Sequence, residues 1–251
     1  MAGMGSLERR HHAGARVSAR RGALLLTSLL VLLAGGTACG GDRRDDTAVA
    51  SPALAPADRP DGRVDRPRVV ALGDSLTAGL GLPPDEAYPA VLQTLIDAAG
   101  YDVEVVNMGV SGDTSAGGRR RLEWALEGDV RVLVLALGAN DGLRGLSPTE
   151  MSANLEAMIR QAHTRGVRVL LCGMEAPPNF GPEFTAEFRG VYADLAARHD
   201  IVFLPFLLEG IAGVPSFNQA DGIHPNAEGA RRMATLVWER LEPVLKAATT
   251  T

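Results

Sequence analysis

The sequence predicts a three-layer α/β domain built on a parallel sheet, on three observations. Five short apolar runs, Val69–Leu72, Val103–Val106, Val130–Leu137, Val167–Leu171 and Ile201–Leu204, are rich in β-branched or aliphatic residues and lack polar alternation. Such runs mark strands buried on both faces. Stretches of helical periodicity separate them, and alternating strand and helix implies helices on both faces of the sheet with right-handed crossovers. Polar residues gather just past the ends of the runs, at Asp74-Ser75, at Asn107 and at Gly138-Ala139-Asn140-Asp141. Sheets of this kind carry their sites outside the carboxyl ends of the strands.

Ahead of the first strand, residues 1–38 read as an export signal. Arg9, Arg10, Arg16, Arg20 and Arg21 form a basic stretch, Ala23 to Leu33 is apolar except for Thr27 and Ser28, and small residues follow up to Ala38. The apolar run is shorter than the ~20 residues of an ordinary membrane span; an uncleaved N-terminal anchor is the alternative. Cys39 comes next and resembles the lipidated cysteine of bacterial lipoproteins, although Gly36 stands where such motifs carry an aliphatic residue. Lipidation would tie the domain to a membrane; plain secretion with an incidental cysteine is the other reading. The expected compartment is therefore extracytoplasmic, as a membrane-anchored lipoprotein or a periplasmic or secreted protein. Residues 39–66 are rich in Asp, Arg, Pro and Ala without apolar periodicity and read as a disordered tether with a reach on the order of 30 Å. Residues 67–247 then form one domain.

Within that domain the helices follow the strands in turn. Residues 87–99 carry Leu92, Leu95 and Ile96 on one face, and residues 114–127 carry Leu122, Ala125 and Leu126. Residues 149–165 carry Leu155, Met158 and Ile159, with Gly166 as a stop, and residues 183–199 and 225–246 complete the set.

Composition narrows the chemistry. The chain carries a net charge of −5, and residues 1–38 hold five Arg and one Glu, which leaves −9 on the remainder. An acidic surface with few aromatics argues against a nucleic-acid partner. Lys246 is the sole lysine, which removes Schiff-base chemistry and phosphate-binding Walker loops. No Gly-x-Gly-x-x-Gly follows the first strand, and no His or Cys cluster has metal-ligand spacing, so neither a cofactor nor a metal is expected. Of the two cysteines, Cys172 sits in an apolar run and reads as a buried structural thiol.

What is left points to nucleophilic catalysis. Ser75 follows the first strand by two residues, either as a nucleophile aimed into the crevice or as a helix N-cap. It is not the nucleophile elbow of the α/β-hydrolases, because Thr77 stands where that turn needs glycine. Of five histidines, His11 and His12 lie in the export signal, and His163 and His199 lie near helix C-termini. His224 sits in a loop three residues after Asp221, a spacing that brings a carboxylate to Nδ1 and leaves Nε2 for a serine. The bland reading of Asp221-Gly222 is a turn. Acyl transfer also needs oxyanion donors, and the backbone N–H groups of Ser75 and Gly109 and the Asn140 amide are candidates. Taken singly, Gly109 reads equally as a turn glycine and Asn140 as part of an Asn-Asp turn. Asp74 and Asp141 read as loop-organising carboxylates, and Asp113 and Thr114 as caps of the next helix.

Together, Gly73-Asp74-Ser75-Leu76, Gly109, Gly138-Ala139-Asn140-Asp141 and Asp221-Gly222-Ile223-His224-Pro225 resemble the four sequence blocks of the SGNH (GDSL) hydrolases, in order and in strand position. Within that superfamily, Gly73–Gly81 and Gly138–Gly145 look like the arylesterase and acyl-CoA thioesterase I/lysophospholipase L1 group. The resemblance covers residues 68–245. It implies a flavodoxin-like sheet of five parallel strands, with Ser75 as nucleophile, His224 as base, Asp221 as its orienting acid, and Ser75, Gly109 and Asn140 as the oxyanion hole. The expectation is a serine esterase acting on small acyl esters or lysophospholipids, with Leu143–Pro148 and Met174–Phe188 along the acyl group. A carbohydrate O-acetyl esterase with the same machinery and a non-catalytic surface binding lipoprotein are the alternatives.

Overall fold

The computed structural model describes residues 66–249. The expected export signal, the expected lipidation at Cys39 and all but the last residue of the expected tether lie outside the described residues. Arg66, which closes that expected tether, is tied into the domain through an ion pair of Nε with Asp102 at 3.0 Å.

Five strands form one parallel sheet. They are β1 (Arg68–Gly73), β2 (Glu104–Gly109), β3 (Val130–Ala136), β4 (Arg168–Cys172) and β5 (Val202–Leu204), in the order β2-β1-β3-β4-β5. This is the flavodoxin-like order, and it reverses direction between β1 and β3, where such sheets open a crevice. The inner strands β1, β3 and β4 are buried almost throughout, as their unbroken apolar runs require. Leu133, Leu135, Leu170 and Leu171 are fully buried, and each such side chain contributes about 1.5–3 kcal/mol. The edge strands β2 and β5 are only partly covered.

Among the described residues, seven α-helices accompany the sheet. The long ones are α2 (Tyr88–Ala98), α3 (Ser115–Ala125), α5 (Pro148–Thr164), α6 (Pro182–His199) and α7 (Ala227–Thr249). Helices α2 and α7 pack on each other, as α5 does on both α3 and α6, so the helices fall into two layers about the sheet. Two short helices, α1 (Ser75–Ala78) and α4 (Ala139–Leu143), have too few residues to show a periodicity in the sequence. They start directly after β1 and just after β3, on the two sides of the switch point.

One strand runs further than its apolar residues indicate. β2 continues through Asn107 and Met108 to Gly109, because its pairing with β1 holds register from Arg68↔Glu104 to Gly73↔Gly109. Backbone pairing carries the strand past the point where the hydrophobic run stops. Asn107 and Gly109 therefore lie within the strand, not in the loop beyond it.

Candidate active site

The first turn after β1 is organised by Asp74. Its carboxylate caps α1, with Oδ1 accepting from the Leu76 N–H at 3.0 Å. That removes the N-cap reading of Ser75. Asp74 is the cap, Ser75 is the first residue of the helix, and the serine hydroxyl is available to other partners. Asp74 is almost fully buried, and burial raises its ionisation from 3.8 to about 6 against the opposing hydrogen bonds from Leu76 and Asn140.

The second turn delivers Asn140. Gly138, at φ 116°, turns the chain out of β3, and Tyr192 Oη donates to the Leu137 carbonyl at 3.0 Å directly beside it. A Cβ on Gly138 would lie 2.0 Å from the Tyr192 hydroxyl, so glycine is needed there for space as well as for φ. Asp141 turns inward, and its two oxygens take the N–H (2.8 Å) and hydroxyl (2.6 Å) of Ser115. It organises the loop, as its sequence context predicts. Asn140 Nδ2 is left facing the crevice, 3.4 Å from Asp74 Oδ2.

The third segment carries Asp221 and His224. Asp221 Oδ1 accepts the backbone N–H groups of Ile223 (2.9 Å) and His224 (3.0 Å), and Oδ2 lies 2.6 Å from His224 Nδ1. The His224 backbone N–H and then its ring hold the Asp221 carboxyl down at about 2. An ionised carboxylate can only accept, so Nδ1 carries the proton of the neutral ring and Nε2 presents a lone pair. His224 Nε2 lies 2.9 Å from Ser75 Oγ. Ser75, His224 and Asp221, 149 and 3 residues apart in pairs, thus form one continuous hydrogen-bonded chain.

Gln219 holds this loop in place and is a residue sequence reasoning passed over. Its Nε2 donates to the carbonyls of Leu80 (2.7 Å) and Pro225 (2.9 Å), and its N–H donates to His224 O (2.8 Å). The loop bearing the histidine is thereby latched to the segment just past the helix bearing the serine. Gly81 leaves room for it, since a Cβ there would sit 2.2 Å from Gln219 Oε1.

The expectation for Gly109 needs correction. Its N–H donates to Asn107 Oδ1 at 2.9 Å, and a Cβ on it would lie 2.1 Å from the Ala78 backbone nitrogen. Gly109 is a close-packing glycine at the end of β2 and does not line the crevice. Gly112, three residues on, does line it. Gly112 occupies a turn with φ 81°, closed by the Asp113 N–H on the Val110 carbonyl at 3.0 Å, and Arg144 Nη2 donates to its carbonyl at 2.8 Å. No intramolecular acceptor takes the Gly112 N–H among the described residues. The Ser75 N–H, in the first turn of α1, likewise has no intrahelical acceptor.

A crevice of about 590 Å³ opens over these groups, lined by Ser75, Asn140, Gly112 and His224 and by mostly apolar neighbours. Leu143 and Met174 to Pro178 contribute, as expected. Phe180, Phe184 and Phe188 do not. They form a row with Tyr192, centroids 5.2, 6.2 and 5.7 Å apart, that runs from an exposed Phe180 beside Gly145 to a buried Phe188 beside Gly142. The spacing of four along α6 from Phe184 to Tyr192 is the signature of an inward helix face. In their place Phe206, Leu208 and Ala212, from the segment after β5, together with Leu80 and Ile223, complete the apolar lining. The arrangement sets a serine hydroxyl against an imidazole that a carboxylate orients, with N–H groups nearby, at the floor of an apolar slot.

Comparison with known proteins places the chain in a family. The GDSL-like Lipase/Acylhydrolase family matches residues 71–232. Esterase TesA of Pseudomonas aeruginosa is 43% identical over 178 residues, covering 70% of this chain and 89% of TesA. Thioesterase 1/protease 1/lysophospholipase L1 of Escherichia coli K12 is 34% identical over 178 residues, covering 70% of this chain and 84% of the relative. The crystal structure of TesA superposes with a TM-score of 0.68, covering 70% of this chain and 99% of that one. The psychrotrophic esterase EstA from Pseudoalteromonas sp., solved inhibited by monoethylphosphonate, does so with a TM-score of 0.68 at 30% identity, over 71% of this chain and 98% of that one. The chain therefore belongs to the GDSL/SGNH family of lipases, acylhydrolases and esterases.

Proposed function

We propose that this protein hydrolyses carboxylic esters through a covalent acyl-enzyme on Ser75. The observation that carries the proposal is the unbroken contact from Asp221 through His224 to Ser75 Oγ, at 2.6 and 2.9 Å. His224 Nε2 takes the Ser75 proton as Oγ bonds to the ester carbonyl carbon. The oxyanion is held by the N–H groups of Ser75 and Gly112 and by the Asn140 amide. Collapse breaks the bond to the alcohol, which leaves with the proton from His224. Water, activated by the same nitrogen, then hydrolyses the acyl-enzyme and restores the serine. Asp221 holds the ring in the required tautomer and stabilises its charged form.

The apolar lining from Leu143, Met174, Phe206 and Leu208 suits an acyl chain, and the relatives are named as an esterase and as a thioesterase and lysophospholipase. Short or medium acyl esters and lysophospholipids are the substrates this favours. The test is hydrolysis of p-nitrophenyl esters from acetate to palmitate by the purified protein and its Ser75→Ala and Asn140→Ala variants. Ser75→Ala should abolish turnover, and Asn140→Ala should lower it by about 10²–10³. Turnover that survives Ser75→Ala would refute the mechanism.

A further inference from the structure

Behind the crevice, a single guanidinium ties together the three backbone segments that flank two of the oxyanion donors. Arg121, on α3, donates from Nη2 to the Gly73 carbonyl (2.8 Å), from Nη1 to the Met108 carbonyl (2.7 Å) and from Nε to Asp113 Oδ2 (2.7 Å). Gly73 precedes Ser75 by two residues at the end of β1. Met108 lies at the end of β2. Asp113 directly follows Gly112, and its N–H closes the turn that presents Gly112. Arg121 and Asp113 are 17% and 14% exposed, so their charge-assisted bonds are largely shielded from water. Gly117 makes the room, since a Cβ there would stand 1.7 Å from Asp113 Oδ1. Arg121 does not line the crevice.

We infer that Arg121 is a positioning residue for the oxyanion hole, fixing the spacing between the Ser75 and Gly112 N–H groups without touching substrate. The inference rests on the reading of those two groups as oxyanion donors. Donors of this kind act only when they lie about 2.7–3.1 Å from the developing oxyanion. A displacement of about 1 Å can cost on the order of 10²-fold in rate. The planar fork of arginine can bridge two carbonyls and a carboxylate at once, whereas a lysine ammonium on a flexible stem cannot hold all three in one geometry.

The test compares Arg121→Lys and Arg121→Ala with the parent and with Ser75→Ala, using full-length protein and p-nitrophenyl butyrate. Arg121→Lys keeps a cation opposite Asp113, and an unfolding midpoint measured alongside checks that the fold is retained. The expected result for Arg121→Lys is a fall in kcat of roughly 10–100-fold with KM within about threefold, and a matching fall in the rate of inactivation by a p-nitrophenyl phosphonate. Millimolar guanidinium should restore part of the lost kcat in Arg121→Ala. An Arg121→Lys enzyme with kcat within about threefold of the parent would overturn the inference, as would a loss confined to KM. The Ser75→Ala arm separates the two readings: parent turnover that survives in it refutes the serine mechanism, whereas Ser75-dependent turnover untouched by Arg121→Lys refutes only the positioning role.

Discussion

Replacing Asp74 by asparagine should change how stability depends on pH, in a direction opposite to that of an ordinary paired carboxylate. Asp74 is 1% exposed, and its carboxyl ionises near 6 instead of 3.8 because burial disfavours the charge. Between those two values the folded protein keeps a proton that the unfolded chain has released. Stability therefore falls as pH rises, with the cost absent below 3.8 and complete above about 6. Moving one ionisation that far corresponds to about 3 kcal/mol. For a domain of this size that is roughly 6–12 °C in Tm. The assay is urea or thermal unfolding of parent and Asp74→Asn at intervals from pH 4 to pH 7.5. Groups that do not interact with Asp74 cancel in the difference, and His224, which favours the Asp74 charge, acts against burial as the smaller effect, so the difference should shift by about 3 kcal/mol in favour of the variant as pH rises through the window. A difference that stays constant with pH would show that Asp74 does not titrate there and would refute the reasoning. Asp221 has the opposite sign: its contribution is complete above 3.8 and is lost only as pH falls toward 2, below the range scanned.

Two further outcomes follow from burial and close approach. Gly138→Ala places a methyl 2.0 Å from the Tyr192 hydroxyl and 2.9 Å from Met151 Sδ, at φ 116°, and should destabilise by at least about 2 kcal/mol in denaturant unfolding. An unchanged midpoint would mean that the β3–α4 turn relaxes freely. Cys172 is fully buried with its thiol pushed up to about 12, so titration with a thiol reagent at pH 8 should count one thiol fewer in native than in denatured protein. Equal counts would contradict the packing described for β4.

The architecture was legible because the inner strands are sandwiched between helix layers, and their buried runs from Val69, Val130 and Val167 could be nothing but apolar. The Asp221–His224 pair was legible because its geometry is local, one short turn in which the carboxylate also takes two backbone N–H groups. What the sequence hid depends on contacts between distant segments. Gly109 and Gly112 lie three residues apart, and only the register of β2 on β1 decides which one packs against α1 and which one reaches the crevice. Arg121 bridges to Gly73 across 48 residues and Gln219 to Leu80 across 139, and a lone long polar side chain gives no periodic signal of such a reach. The lining of the crevice differs from the expectation for a related reason. Of the aromatics after Met174, Phe184 and Phe188 sit on the inward row of α6 with Tyr192, and the segment after β5 supplies the wall they leave open.

Covalent trapping at Ser75 distinguishes a serine nucleophile from every other assignment. The purified protein is treated with a p-nitrophenyl ethyl phosphonate ester, and intact mass and peptide mapping are followed alongside ester hydrolysis. The expected result is a single adduct per chain, on Ser75, formed in step with the loss of activity and absent from Ser75→Ala. Loss of activity with the adduct on any other residue, or full activity in a protein quantitatively modified at Ser75, would contradict it.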